Sequence, residues 1–275
     1  LDPNIVGIDT IDSIIECSLI LAAVPAQFMR TALLLLREHV NPEAIVVLCA
    51  KGIEVDSGHL MSEVADASIP GVQPVILSGP SFASEVAAGL PTAITVAADR
   101  RPNALYVAQL LGDKYFRTYV SEDPIGAQIA GASKNVLAIG CGIAESKGLG
   151  KNAIAALITR GIAEINRLST AMGGCSQSML ELAGIGDLVL TCTNSQSRNF
   201  SFGYNVGQEK KPVATLIELG GTVEGFASSA SILKLSRRHN VVMPIIEAVH
   251  RVLHQQAPIN STISELLTRS VDYSS

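Results

Sequence analysis

Short apolar runs alternate with helical spacings of apolar residues over the amino-terminal part of the chain. Each run ends at glycine, proline or polar residues, which is typical of a buried β-strand. The pattern predicts strands at 17–23, 44–50, 74–78, 92–97 and 116–120. It predicts helices at 28–37, 59–67 and 81–88. Strands that alternate with helices in this way indicate a mostly parallel sheet with right-handed crossovers.

The pattern changes near Asp123. From there to the end of the chain we find long helical periodicities and no convincing strand pattern. The predicted fold class is therefore an α/β domain with a parallel sheet, followed by an all-α domain. We place the α/β domain at 1–122 and the helical domain at 123–275.

The most apolar long stretch, 125–144, lies at the start of the helical part. Its middle contains three polar residues: Gln128, Lys134 and Asn135. Polar side chains are costly at bilayer depth, so their presence argues against a transmembrane helix. We predict instead a helix that is buried in protein.

Composition indicates a folded protein and narrows its expected partners and cellular location. The 275 residues are 48% hydrophobic and 16% charged, which is enough for a sizeable folded core. The 20 Lys and Arg against 25 Asp and Glu give a net charge of -5, so we expect no nucleic-acid partner. The five cysteines form no C-x-x-C, and the histidines form no H-E-x-x-H. We therefore expect no metal site, no disulfide framework and a reducing, cytoplasmic location.

One expected motif is absent from the sequence. A nucleotide-binding parallel sheet usually opens with a strand, a G-x-G-x-x-G turn and a helix. This chain has no such turn. Either the fold is of another kind, or the first strand–helix units are not part of this chain and the sheet is incomplete at its amino-terminal side.

Polar residues follow two neighbouring predicted strands. Lys51 comes directly after the second strand, and Gly79-Pro80-Ser81 comes after the third, with Ser81 placed to cap the next helix. Ligands of open α/β sheets gather at the carboxyl ends of strands, where an ammonium group and helix N–H groups attract anions. Each segment alone is also compatible with an ordinary solvated turn, but the two together favour a shared cleft.

Lys134 is the most informative single residue. It lies on a helix surface made bare by Gly126, Ala127, Gly131 and Ala132. Desolvation on such a surface would lower the pKa of its amine, and a nearby cation would lower it further. A lysine tuned in this way can exchange a proton with an alcohol or a carbonyl. The alternative is a lysine whose stem lies on the helix while its amine reaches water.

Further candidate residues follow in the helical part. Asp187 and Thr191 are four residues apart and would share a helix face, with Asp187 either capping the helix or pointing into a site. Ser197-Arg198-Asn199 lies in a polar loop, where the planar guanidinium group matches a phosphate, although an exposed loop arginine is usually just solvated. Glu224 is either a turn residue or a cofactor contact.

Six segments of the sequence together resemble one enzyme family. They occur in the order AKGIE (50–54), SGPSFASEVAAGLPTA (78–93), GASKNVLAIGCGI (131–143), ALITRGIAEI (156–165), LAGIGDLVLTCTNSQSRNFSFG (182–203) and TVEG (222–225). In this combination they look like bacterial-type NAD(P)-dependent glycerol-3-phosphate dehydrogenase. The resemblance extends from about Leu1 to about Arg269.

The resemblance implies a fold and a reaction. The fold is a Rossmann-type sheet domain followed by a helical domain. The reaction interconverts sn-glycerol 3-phosphate and dihydroxyacetone phosphate with NAD or NADP as the cofactor. The resemblance further suggests a cytoplasmic homodimer that feeds glycerophospholipid synthesis.

The resemblance also implies roles for individual residues. Lys134 is expected to exchange the proton of the substrate's C2 oxygen, with Lys51 beside that oxygen and Asp187 orienting Lys134. We expect substrate contacts from Lys51, Gly79, Ser81, Lys134, Asp187, Thr191, Ser197, Arg198 and Asn199. We expect cofactor contacts from Lys51, Ala83, Arg198, Thr222 and Glu224.

Two other functions stay open on the sequence alone. One is a related dehydrogenase with the same pair of domains, of the ketopantoate or hydroxy-acid type. The other is a non-catalytic binding module that lacks the cofactor turn. Only the glycerol-3-phosphate dehydrogenase requires a phosphate monoester as its substrate.

Overall fold

A computed structural model describes residues 4–11, 14, 16–41 and 43–268 of the chain. The outer ends of the two predicted domains, 1–3 and 269–275, lie outside the described residues. So do Leu1 and Arg269, which bound the family resemblance.

A five-stranded sheet forms the amino-terminal part. Its strands are β1 (Leu19–Ala22), β2 (Ile45–Leu48), β3 (Gln73–Ser78), β4 (Thr92–Ala97) and β5 (Phe116–Ser121), and each pairs with the next in chain order. Helices α1 (Met29–Leu36), α2 (Met61–Ser68), α3 (Ala83–Ala87) and α4 (Arg101–Leu111) connect them. Apolar side chains of β1–β3 pack against α1 and α2, and those of β2–β4 pack against α4.

Three strand pairs are parallel, and β3 and β4 are antiparallel. A parallel return needs a crossover that carries the chain back along the sheet. The only helix between β3 and β4 among the described residues is α3, which has five residues and is too short for this task. The mostly parallel sheet predicted from the sequence is confirmed.

The sequence pattern does not predict helix α4, which the structure contains. Its buried residues Ala104, Val107 and Ala108 follow the spacing of an amphipathic helix. Because these side chains are small, the helical periodicity is weaker than the apolar pattern of the strands on either side.

The carboxyl-terminal part is helical. Its helices are α5 (Pro124–Ser146), α6 (Lys151–Ala171), α7 (Asp187–Thr193), α8 (Arg198–Gly207), α9 (Pro212–Leu219), α10 (Glu224–Arg238), α11 (Pro244–His254) and α12 (Ile259–Thr268). A 3₁₀ turn (Ser176–Leu180) and a π-helical turn (Leu182–Gly186) lead into α7. The fold class predicted from the sequence, a Rossmann-type sheet domain followed by an all-α domain, is confirmed.

Helix α5 is the central helix of this part. It is buried along nearly its whole length and packs against α6, α7, α8, α10 and α11. The apolar stretch 125–144 lies within it and is buried in protein, as the sequence predicts. Among the described residues, no helix combines the length and the apolar character needed to cross a lipid bilayer.

Glycines allow the backbones of α5 and α8 to come into direct contact. A Cβ atom on Gly142 of α5 would overlap the carbonyl oxygen of Phe200, and one on Gly203 of α8 would overlap the carbonyl oxygen of Ile139. This contact packs α8, from its first turn to its middle, against the carboxyl-terminal half of α5.

Gly203→Ala should destabilise the fold by about 1–3 kcal/mol, because the added methyl group overpacks the contact between α5 and α8. The free energy of unfolding in urea measures this. Gly7→Ala is the matched control, since a Cβ atom there meets no atom within 4 Å. Equal stabilities for the two variants would contradict the packing argument.

Candidate active site

Four segments meet at one edge of the sheet, and three of them bring a charged side chain. Lys51 follows β2 and Gly79 follows β3, and since these strands are parallel their carboxyl ends meet at the same edge. Lys134 comes from the middle of α5, and Asp187 is the first residue of α7. Lys51 and the turn after β3 therefore meet at this edge, while the shared cleft stays a prediction.

The carboxylate of Asp187 lies between two ammonium groups. Lys134 Nζ donates to Asp187 Oδ1 at 2.6 Å, and Lys51 Nζ donates to Asp187 Oδ2 at 2.9 Å. The side chains of Asp187 and Lys134 are only 2% and 7% exposed, and that of Lys51 is 20% exposed. Asp187 therefore points into the site, and neither lysine is the solvated residue that the sequence left as an alternative.

Two positive charges share one negative charge in this buried site. Burial lowers the pKa of Lys134, Lys51 lowers it further, and Asp187 raises it, which leaves the pKa at about 8. Burial raises the pKa of Asp187, but the ammonium groups of Lys51 and Lys134 outweigh this, so its pKa lies below the usual value. The carboxylate thus stays ionised, while Lys134 can change its protonation state near neutral pH.

Further hydrogen bonds fix the two amines. Thr191 Oγ1 accepts a hydrogen bond from Lys134 Nζ at 2.9 Å and donates to the carbonyl oxygen of Asp187 at 2.6 Å. The carbonyl oxygen of Gly79 accepts from Lys51 Nζ at 2.9 Å. Thr191 and Gly79 thus each contact one of the two lysines.

The bare surface of α5 is filled by Lys51. A Cβ atom on Gly131 would lie 3.7 Å from Lys51 Cβ and 3.1 Å from Ser78 Oγ. The small residue thus lets the stem of Lys51 lie against α5, which brings its amine within reach of Asp187.

The turn after β3 differs from the prediction. Helix α3 begins at Ala83, and Phe82 rather than Ser81 holds its capping position. Ser81 Oγ donates instead to the carbonyl oxygen of Gly79 at 3.1 Å, so its hydroxyl group supports the turn that Lys51 also contacts. The prediction that Ser81 caps this helix is wrong.

The Ser197-Arg198-Asn199 segment is also more ordered than predicted. Ser197 caps α8 by accepting from the N–H of Phe200 at 3.3 Å, and Arg198 and Asn199 lie in the first turn of this helix rather than in a loop. The sequence predicts a loop for this segment because serine and asparagine dominate there. The capping serine is the signal that locates the helix start.

A chain of amide hydrogen bonds joins this helix to Lys51. Asn199 Nδ2 donates to Asn135 Oδ1 at 3.1 Å, and Asn135 Nδ2 donates to the carbonyl oxygen of Lys51 at 3.2 Å. The N–H of Gly225 donates to Asn199 Oδ1 at 3.0 Å. The sequence prediction assigned no role to Asn135, although a polar residue within an apolar helix was a signal for one.

A cleft of about 410 Å³ opens beside Lys51. The segments 23–25 and 49–51, which follow β1 and β2, line one side. Polar side chains line the other side: Asn135, Arg198, Asn199, Thr222 and Glu224. A crevice at the carboxyl ends of parallel strands, with apolar walls and a few polar groups, is typical of a nucleotide site.

The predicted cofactor contacts divide into two groups. Lys51, Arg198, Thr222 and Glu224 line the cleft, and Glu224 Oε1 also accepts from the N–H of Ala26 at 3.4 Å. Ala83 is exposed at the start of α3 and is not among the residues that line this cleft. The structure thus brings together four of the five predicted contacts.

The described part of the chain contains no set of side chains that could bind a metal ion. No three His, Cys, Asp or Glu side chains there stand close enough to hold a metal ion.

Comparison with known proteins gives matches over both halves of the chain. A family model described as the NAD-dependent glycerol-3-phosphate dehydrogenase N-terminus matches residues 1–104, and one described as the C-terminus of the same enzyme matches 123–264. The glycerol-3-phosphate dehydrogenase [NAD(P)+] of Maricaulis maris is 45% identical over 98% of this chain and 81% of that protein. That of Caulobacter vibrioides is 44% identical over the same shares.

A solved structure shows the same similarity in three dimensions. The crystal structure of glycerol-3-phosphate dehydrogenase from Coxiella burnetii superposes with a TM-score of 0.88 at 35% identity. The match covers 92% of this chain and 77% of that one. The fold described above is therefore shared with this dehydrogenase.

Lys51→Met should raise the pKa of Lys134 above about 8, because it removes the neighbouring positive charge. Asp187→Asn should lower it, because the stabilising carboxylate is lost. The ¹³Cε chemical shift of Lys134 measured against pH reports both shifts. Lys151→Met, at the exposed start of α6, is the control and should leave the pKa unchanged. Shifts of the same sign in the first two variants would contradict the electrostatic account.

Proposed function

The chain belongs to the NAD-dependent glycerol-3-phosphate dehydrogenase family, and on that premise we propose that Lys134 is the general acid–base of its reaction. The activity is the NAD(P)-dependent interconversion of dihydroxyacetone phosphate and sn-glycerol 3-phosphate. The matches to both family models decide against a ketopantoate or hydroxy-acid dehydrogenase and against a non-catalytic module.

One observation carries the assignment. Lys134 is a buried amine with a pKa of about 8, held by Asp187 and Thr191 next to a second amine. A group with its pKa near the working pH transfers protons in both directions most effectively. This suits a reversible reaction between an alcohol and a ketone.

In the reducing direction, Lys134 donates a proton to the C2 oxygen as negative charge develops there. The ammonium group of Lys51 lies beside that oxygen and stabilises the charge in a site from which water is largely excluded. Asp187 keeps its contact with Lys51 and orients Lys134 throughout. In the oxidising direction, the neutral amine of Lys134 accepts the proton of the C2 hydroxyl group.

The cleft beside Lys51 would hold part of the dinucleotide that the family uses. When bound, NAD(P) supplies or accepts the hydride at C2. Lys51, Arg198, Thr222 and Glu224 line this cleft and are the residues that would hold it. Ala83, exposed on α3, would contact only a part of the cofactor that extends beyond the cleft lining.

The amino-terminal turn of α8 would bind the substrate phosphate. Backbone N–H groups at a helix start, together with the guanidinium group of Arg198 and the amide of Asn199, favour a phosphate group. Gly79 and Ser81 would complete the substrate site from the opposite side. Binding at the phosphate fixes C2 relative to Lys134 without taking part in the chemistry.

The remaining assignments concern organisation. We propose that 1–122 forms the cofactor-binding domain and 123–275 the helical domain that carries Lys134 and Asp187. The last strand ends at Ser121 and α5 begins at Pro124, which supports this division. The family resemblance supports a cytoplasmic homodimer with a role in phospholipid synthesis.

Lys134→Ala should reduce turnover at least ~100-fold, the lower end of what a general acid–base contributes. Steady-state rates of dihydroxyacetone phosphate reduction measure the effect. Lys151→Ala, which removes an exposed lysine at the start of α6, is the control and should keep the wild-type rate. A near-normal rate for Lys134→Ala would rule out the proposed role.

Arg198→Ala should weaken the use of phosphate-bearing substrates. A hydrogen bond to a charged group contributes about 1.5–3 kcal/mol, which corresponds to roughly a tenfold to hundredfold loss in kcat/KM. The slow reduction of dihydroxyacetone, which lacks the phosphate, is the control and should change far less. If both substrates lost the same factor, Arg198 would not be the phosphate ligand.

A further inference from the structure

A second polar cleft, of about 470 Å³, lies between α10 and α11. It shares no residue with the cleft beside Lys51. Ala230 and Leu233 form its apolar floor. The four polar side chains that line it within the described residues are all basic: Lys234, Arg237, Arg238 and His250. We call it the basic cleft.

The positive charges of the basic cleft lie on one helix face. Lys234, Arg237 and Arg238 are spaced by three and four residues along α10, so their side chains are neighbours. Like charges at these spacings repel each other and destabilise a helix. Arg237 and Arg238 lie in the last turn of α10, where the helix dipole favours cations and reduces this repulsion, and a bound anion would offset what remains.

The partners of these groups leave most of the charge unbalanced. Lys234 Nζ donates to the carbonyl oxygen of Asp56 at 2.7 Å, and Arg238 Nη2 donates to that of Ser57 at 2.9 Å. A backbone carbonyl carries only a partial charge, so it does not neutralise a cation.

Arg237 and His250 provide the remaining groups. Arg237 faces Glu247 at 3.6 Å, and with side chains 68% and 47% exposed this ion pair is weak. His250 Nδ1 is buried and has no hydrogen-bond partner among the described residues. Glu247 is thus the one carboxylate paired with the cations of the basic cleft within the described part of the chain.

We propose that the basic cleft binds a small phosphate-bearing anion. Guanidinium groups form paired hydrogen bonds with phosphate oxygens, and Lys234 adds a compact positive charge. The volume suits a small phosphorylated molecule and is too small for a polymer strand. This inference does not depend on the roles proposed for Lys134 and Arg198.

The test is a calorimetric titration of the full chain with inorganic pyrophosphate. The chain carries Arg198→Ala, which disables the proposed substrate-phosphate site. This chain should still bind pyrophosphate. Adding Arg237→Gln should weaken binding at least about tenfold, because a charge-assisted contact is lost. Arg237 donates no hydrogen bond to the loop at 56–57 that Lys234 and Arg238 hold, so we expect this variant to keep the fold.

Arg117→Gln on the Arg198→Ala chain is the matched control, because it removes one exposed arginine from β5. Binding that weakens with Arg237→Gln and not with Arg117→Gln supports the basic cleft. Three results would overturn it: no binding to the Arg198→Ala chain, equal losses for the two glutamine variants, or no loss with Arg237→Gln. Thermal unfolding of each variant verifies that the fold is intact.

Discussion

The site depends on one buried carboxylate that binds two amines. Asp187 holds the ammonium groups of Lys51 and Lys134 at 2.9 and 2.6 Å, so two positive charges share one buried negative charge. Removing one partner of a buried charge cluster is costly, because it leaves an uncompensated charge. Burial and the neighbouring charge of Lys51 together lower the pKa of Lys134 to about 8. The same interaction therefore positions the amine and sets its acidity.

The fold fixes the positions of Lys51, Lys134 and Asp187. Lys51 is fixed by the carboxyl end of β2, Lys134 by the middle of the buried helix α5, and Asp187 by the start of α7. Gly131 admits the stem of Lys51 against α5. The amide groups of Asn135 and Asn199 then connect Lys51 to the helix start that would hold the phosphate. Under the proposed roles, a path of hydrogen bonds therefore connects the residue beside C2 with the helix start that would bind the phosphate.

Much of this arrangement could be predicted from the sequence, because strong local signals marked it. Apolar runs located the strands, and a lysine among small residues located Lys134. Features that depend on tertiary geometry were missed. The turn after β3 recruits Ser81 for its own hydrogen bond, which local capping preference does not anticipate. The antiparallel β4 follows from the shortness of α3, and the role of Asn135 follows from its partners in two other segments.

The pH profile of kcat/KM for glycerol 3-phosphate oxidation tests the central claim most directly, since it reports the ionisation of the free enzyme. The amine of Lys134 must be neutral to accept the proton of the C2 hydroxyl group. The account therefore predicts a rate that rises with pH through an apparent pKa of about 8. A profile that stays flat through that pH would contradict it.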